Sequence, residues 1–295
     1  MRKSSLTLRR SVDMTIRIVS LLSALIGIAF LVWILWDVAL RGITALDWNF
    51  FTKRTGPFSV KEAGMANAIV GTFYLTLIAT ILGVPMGLMG GIFLSEFGKN
   101  HPLSTAVRFF ANILMGTPSI LIGVFIYAVI VLNTGGFSLF SGSVALAIIM
   151  LPVVLRTTED MLALVPNELR ESALALGSPS WKMVLQVVFR AARAGLITGV
   201  LLAIARVSGE TAPLLFTAFN NSHFSYYETG GPLRYVYDLN KPTANLTVTI
   251  FNYAMSPYKQ WKELAWAGSL LITGAVLFLS VIARILFQGG KTRRA

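Results

Sequence analysis

The chain has 295 residues, 55% apolar and only 13% charged, with no cysteine and a formal charge of +12, and its mean hydropathy is +0.70. Soluble globular domains carry about a quarter charged residues, so this is an integral membrane protein, and its uncharged runs of about 20 residues describe helical spans rather than the short alternating segments of a barrel. The absent thiols exclude disulfides and thiolate metal sites, and basic residues scattered along loops and span ends exclude nucleic acid as a partner in favour of the lipid bilayer.

Taken in order, residues 1–17 form a basic tail with Arg2, Lys3, Arg9, Arg10 and Arg17, ahead of a first span from Ile18 to Trp36. That run is long for a signal-peptide core and ends in Trp33 and Trp36, which mark an uncleaved span with interfacial aromatics. After a polar connection from about Arg41 to Gly64, a second span covers roughly Ala66–Leu94. Its Gly83, Gly87 and Gly91 fall four apart on one helix face beside Pro85, a pattern that suits close helix packing and, as an alternative, a hinge or pore-facing surface. The third span runs from roughly Thr105 to Leu132 and the fourth from Ser141 to Leu155. A polar island, Arg156 to Arg193, precedes a fifth span from about Ala194 to Phe219. A long connection containing Gly230-Gly231-Pro232 leads to a sixth span, Leu264–Leu286, and to a basic tail over residues 288–295.

Placing both termini and the polar island on one side collects roughly twice as many Lys and Arg there as on the other, so the positive-inside rule puts both termini in the cytoplasm. His101 and His223 then lie on opposite sides, which rules out a shared metal site. Gly289-Gly290-Lys291-Thr292 imitates the end of a phosphate-binding loop, but Ile285 stands where the pattern needs glycine and no helix can follow. No ATP site is expected on this chain, and no cofactor.

The polar island spends more than thirty residues on charged, helix-patterned sequence. Pro166 suits a first helical turn, with Asn167, Glu168 and Glu171 near its positive end. Leu169, Ala173 and Leu176 recur at i, i+4 and i+7 as one apolar stripe. Gly177 with Ser178-Pro179 stops that helix, and a second amphipathic stretch carrying Trp181, Met183, Val184 and Val187 begins at a sharp corner. So short a helix must pack against something: the lipid interface, or another protein.

A charge is predicted near the middle of one span. Arg206 lies about 12 residues into the fifth, a rise of ~18 Å that sets it near the bilayer midplane, and Glu210 is one turn further on the same face. A midplane charge is costly and suggests function, although an internal ion pair would explain it equally well. Ser208 and Thr211 add hydroxyls nearby, Ser208 being turned away from Arg206. Arg156, at the inner end of the fourth span, reads as a snorkelling arginine or as a second anion contact.

Glu171-Ser172-Ala173, then Gly177, between spans four and five resembles the Glu-Ala-Ala…Gly signature of ABC-importer permeases, with Ser172 a departure and Val187-Val188-Phe189-Arg190 keeping only the apolar character of its end. Wider stretches resemble the PstA-type phosphate permeases: Gly64-Met65-Ala66-Asn67-Ala68-Ile69, Pro118-Ser119-Ile120, residues 155–162, 169–177 and 205–216, Ala254-Met255-Ser256-Pro257 and Ala265-Trp266-Ala267-Gly268. The resemblance implies an all-α, six-helix permease of type I importer fold, with residues 18–63 as first helix and outer loop, 64–287 as the permease domain and a cytoplasmic coupling-helix loop at about 156–193. It implies that Glu171, Ala173, Leu176 and Gly177 couple to a separate ATPase, and that Arg206, Glu210, Ser208, Thr211 and Arg156 line the substrate path. The implied partners are a PstC-like second permease, a PstB-like ATPase dimer that binds the ATP, and a PstS-like extracytoplasmic binding protein, at a bacterial inner membrane. Sulfate or molybdate are the alternative cargoes, and an ATPase-independent ion-coupled transporter is the alternative class.

Overall fold

The computed structural model describes residues 3–56, 63–98, 101–228 and 235–289. Arg2, Lys99, Gly230-Gly231-Pro232 and the tail from Gly290 onward, with the phosphate-loop imitation it completes, lie outside them. The helices are α1 (Lys3–Ile43), α2 (Trp48–Thr52), α3 (Ala66–Ile92), α4 (Pro102–Gly116), α5 (Ser119–Ile126), α6 (Leu132–Thr134), α7 (Leu139–Ala163), α8 (Asn167–Ala175), α9 (Ser180–Met183), α10 (Phe189–Ser208), α11 (Ala212–Leu215), α12 (Leu246–Ala254) and α13 (Lys259–Gly289). A short antiparallel ribbon, β1 (Tyr226–Glu228) and β2 (Tyr235–Tyr237), joins them. Three turns wind more widely, as π-helix: Phe93–Phe97 after α3, Tyr127–Val131 after α5 and Val184–Val188 between α9 and α10.

Helix α7 is the axis of the molecule. The Ser138 side chain caps it by accepting from the Ser141 N–H, and its small residues let neighbours close in on several sides, so that Leu146, Met150 and Val154 are almost fully buried. Around them gather Leu75 and Ala79 of α3, Ile122 of α5, Ala203 and Val207 of α10, Leu214 of α11 and Val248 of α12. Helix α3 lies along α7 with its glycine stripe turned inward. A Cβ on Gly87 would stand 2.8 Å from Val154 Cβ, and one on Gly91 2.5 Å from Thr158 Cβ. The stripe is therefore a contact surface within the chain and does not face a pore. Gly91→Val is expected to force α3 off α7 at a cost of at least about 1–3 kcal/mol, read as a lowered melting temperature of the detergent-purified protein; an unchanged melting temperature would refute this packing.

Among the described residues, five helical segments are long and apolar enough to cross a membrane: Leu8–Ile43, Ala66–Phe97, Leu139–Ala163, Ser180–Ser208 and Lys259–Ile285. The predicted third span is not a straight helix. Its halves, α4 and the run Ser119–Thr134, meet at 104°, because Pro118 pushes Thr117 to an extended ψ of 130° and ends α4 at Gly116. The fourth span continues two turns beyond Leu155, to Ala163, since nothing in Arg156-Thr157-Thr158-Glu159-Asp160 interrupts a helix before the Val165-Pro166 step. The fifth is displaced as a whole. It begins at Ser180, so the second amphipathic stretch is its inner end rather than a separate helix, and it stops at Ser208, where Gly209 caps it.

Helix α1 packs along α13, where Gly42 lies against Leu270 and the Arg41 guanidinium sits 4.9 Å from the Trp266 ring centre. None of its apolar window is buried. At the end of the bundle opposite α8, the ribbon and α12 form a cap. Tyr74 stacks on Tyr237, and Asn67 accepts from the Thr55 N–H while donating to Thr55 Oγ1 and the Asn221 carbonyl. Asn67 is completely buried, and these three bonds account for its place in the Gly64–Ile69 stretch.

Candidate functional site

The polar island folds into a corner. Helix α8 starts after Pro166 and ends at Leu176, and Gly177 then takes φ +80°. The Gly177 N–H donates to Leu174 O and the Ser178 N–H to Ala173 O, the paired bonds of a left-handed helix stop. Nothing lies within 4 Å of where a Gly177 Cβ would be, so backbone conformation alone demands glycine there.

The inward face of α8 differs from the predicted stripe. Ala173 does turn inward, into a small core with Leu162, Val165, Met183, Val184 and Val188. Its companion is Arg170, however, while Leu169 stays 40% and Leu176 89% exposed. The stripe is divided because the inward direction is set by the reach of Arg170 to Glu96. Its Nε and Nη2 donate to the two Glu96 carboxylate oxygens at 3.0 and 2.8 Å, and the guanidinium also donates to Leu162 O, Val165 O and Asn167 Oδ1. Those side chains are only 10% and 4% exposed, and breaking such a pair costs about 3–5 kcal/mol. The hydrogen bond to Glu96 raises the Arg170 pKa above its ordinary value against the opposing effect of burial. Outward, α8 and its corner present Glu171, Leu174, Leu176 and Trp181. Among the described residues, the Glu171 carboxylate has no hydrogen bond or ion pair within the chain.

A second cluster lies earlier on α7, before the end that Arg170 caps. Glu159 accepts from Arg156 Nη1 at 2.8 Å through one oxygen and from Arg108 Nε at 2.7 Å through the other, and Arg108 also donates to Leu94 O. Arg156 is thus ion-paired rather than snorkelling alone. Two guanidiniums, each about one-third exposed, share one carboxylate, which leaves the group a net positive charge and spare donors.

Arg206 is two residues from the end of α10, not midway along the span, and its charge complements the negative end of that helix. The helix has ended before Glu210, so the two residues do not share a helical face. Arg206 is exposed and, among the described residues, neither its side chain nor that of Glu210 forms an ion pair. The internal-pair explanation for Arg206 therefore fails. Thr211 occupies the position before α11, and the Glu210 carbonyl accepts from Thr247 Oγ1. Ser208 donates to Ile204 O and faces an apolar groove of about 390 Å³ between α3, α10 and α13, away from the others. The break at Gly209–Thr211 is held by α11, where Pro213 packs on Gly123 of α5 so closely that a Cβ there would stand 2.5 Å from its Cα. Among the described residues no three His, Cys, Asp or Glu converge as metal ligands.

A family model for the inner membrane component of binding-protein-dependent transport systems matches residues 83–289. The phosphate transport system permease protein PstA of Yersinia pestis is 44% identical over 290 residues, 98% of this chain and 95% of that one. The chain belongs to the PstA family. The PstA protein of Pasteurella multocida is 45% identical, with 91% of each chain covered, and PstA 1 of Mycobacterium tuberculosis (strain H37Rv) is 37% identical over 94% of this chain and 86% of its own. A methionine ABC transporter, MetNI, in an inward-facing conformation superposes with a TM-score of 0.60 at 18% identity, covering 76% of this chain and 94% of that one. A bacterial ABC transporter that imports alginate gives 0.54 at 13%, covering 91% and 95%. At such identities the likeness is one of fold, the all-α, multi-span fold of ABC-importer permeases. Like PstA permeases generally, the chain is a non-catalytic membrane component.

Sequence inspection passed over Glu96 and Arg108. Glu96 lies just past the predicted end of the second span and Arg108 just inside the predicted third, and Glu96 is an acid in a connection where basic residues were expected to collect. That mismatch was the available signal. Only the fold shows that their partners come from 74 and 51 residues further on.

Proposed function

We propose that this chain is one of two membrane subunits of an ATP-driven importer of inorganic phosphate, with α8 as the helix that docks on a separate ATPase. The observation that carries the docking assignment is the corner itself: a glycine-stopped helix, anchored inward by Arg170 and Ala173, presents Glu171, Leu174, Leu176 and Trp181 outward, exposed among the described residues. The PstA relatives support phosphate as the cargo. Counting the bent pair α4 and Ser119–Thr134 as one span gives six helices. An even number would set both termini on the side of α8, and the distribution of Lys and Arg supports the cytoplasm as that side. Residues 64–287 then make up the permease domain, and 156–193 hold the coupling corner together with the inner ends of the flanking spans.

Along the path, Arg206 offers an unpaired planar fork to a phosphate oxyanion, Glu210 and Thr211 stand at the broken helix beside it, and Arg156 with Arg108 supplies a positive exit toward the α8 side. Ser208 supports the packing of α10 rather than the cargo. The partners that fit are a PstC-like second permease, a PstB-like ATPase dimer and a PstS-like binding protein. Reconstituted with these partners, the chain should take up labelled phosphate only with ATP on the ATPase side, and excess sulfate or molybdate should not compete. ATP-independent uptake would point to an ion-coupled carrier, and effective competition to a different oxyanion.

A further inference from the structure

Nine residues of helix cannot hold their own direction, so whatever anchors α8 decides where a push on it goes. The chain itself leads from α8 into α9 and α10. The Arg170 guanidinium opens another route, because it is bonded at once to Glu96 in the π turn after α3 and to Leu162 O and Val165 O at the end of α7. Leu162 O already accepts from the Val165 N–H, but carbonyls at a helix end carry its negative pole, and a cation is a favourable further partner for them. Three elements therefore meet in one side chain, and α3 and α7 are already locked along their length by the glycine stripe.

We propose that Glu96–Arg170 is a rigid strut which delivers displacement of α8 to the packed α3–α7 pair, so that both routes move together when the ATPase closes. The proposal rests on α8 being the docking helix. A strut fits the geometry better than a releasable latch does. Both carboxylate oxygens are engaged, the pair is almost wholly shielded from water, and opening it in every cycle would leave two buried charges without each other. Glu96 and Arg170 are positioning residues: neither need touch the cargo.

The test uses the whole importer in liposomes and measures phosphate accumulated per ATP hydrolysed. Glu96→Gln is expected to lower that ratio by roughly tenfold, within the usual range of coupling free energies, with the ATPase still bound. Arg170→Lys, which keeps the charge but loses the fork, should fall between. Because the native chain has no cysteine, Glu96→Cys with Arg170→Cys can be joined by a reducible bis-methanethiosulfonate of matching length. The bridge should restore the ratio and a reductant should abolish it again, in one preparation, which separates coupling from poor folding. Normal stoichiometry in the unbridged variants, or a bridge that stops transport, would overturn the strut. Cross-linking of Leu176→Cys to the ATPase, in an otherwise unaltered chain, checks docking independently: failure there removes the docking assignment, whereas success with an unresponsive bridge removes the strut alone.

Discussion

Gly177→Val is expected to reduce phosphate uptake to background while the chain still inserts and accumulates. At φ +80° an L-residue pays roughly 1–2 kcal/mol, and a β-branched one is an outlier there. The penalty would be relieved by unwinding the stop that turns the chain from α8 into α9, so the exposed face of α8 would no longer meet its partner at the right angle. A series separates backbone from bulk, since a Cβ at this position meets nothing in the chain. If conformation governs, Gly177→Asn should retain more uptake than Gly177→Ala, because Asn visits this region more readily. If the partner's cleft is tight, the order should follow size and Ala should do better than Asn. Normal uptake by the Val variant would remove α8 as the docking element.

Arg206→Gln is expected to cut uptake about 10- to 100-fold, the scale of a lost charge-assisted hydrogen bond of about 1.5–3 kcal/mol, with the melting temperature unchanged. The second half of that expectation follows from exposure: among the described residues Arg206 has no ion-pair partner, so its removal orphans nothing within the chain. Arg206→Lys keeps the charge without the fork and should recover part of the uptake. Undiminished uptake with Gln at this position would exclude Arg206 from the path, and a fall in melting temperature to match the lost uptake would make its role structural.

The spans and the corner were legible because their signals are local. Long uncharged runs announce α1, α3, α7, α10 and α13, and Pro166 and Gly177 bracket α8 by backbone chemistry alone. Boundaries failed where local polarity was taken for a helix end. Arg156 to Asp160 continue α7 because nothing there breaks a helix and Glu159 finds its partners within the fold, between two arginines. Conversely, the apolar run after Ser208 did not continue the fifth span, since Gly209 and Pro213 weigh more on the backbone than hydropathy does. The site was half legible for the same reason. Arg206 stands out as a charge in an apolar run, but its lack of a partner depends on where α10 stops, and Glu96 acquires meaning only beside a residue from another helix.

The three π turns bear on how such a chain can change over generations. A π turn holds one residue more than the α-helical winding around it, and one residue in an α-helix corresponds to about 100° of rotation. Two of them, Phe93–Phe97 and Val184–Val188, lie within membrane-crossing segments, near the ends closest to the corner that α8 makes. Losing a single residue from Val184–Val188 would let that turn tighten to α-helical winding through about the same rotation, so that α8 and α9 keep nearly their direction relative to α10. At such a turn the chain can gain or lose one residue without turning the corner away from its partner, whereas the same change in a plain α-helix would rotate everything beyond it by about 100°.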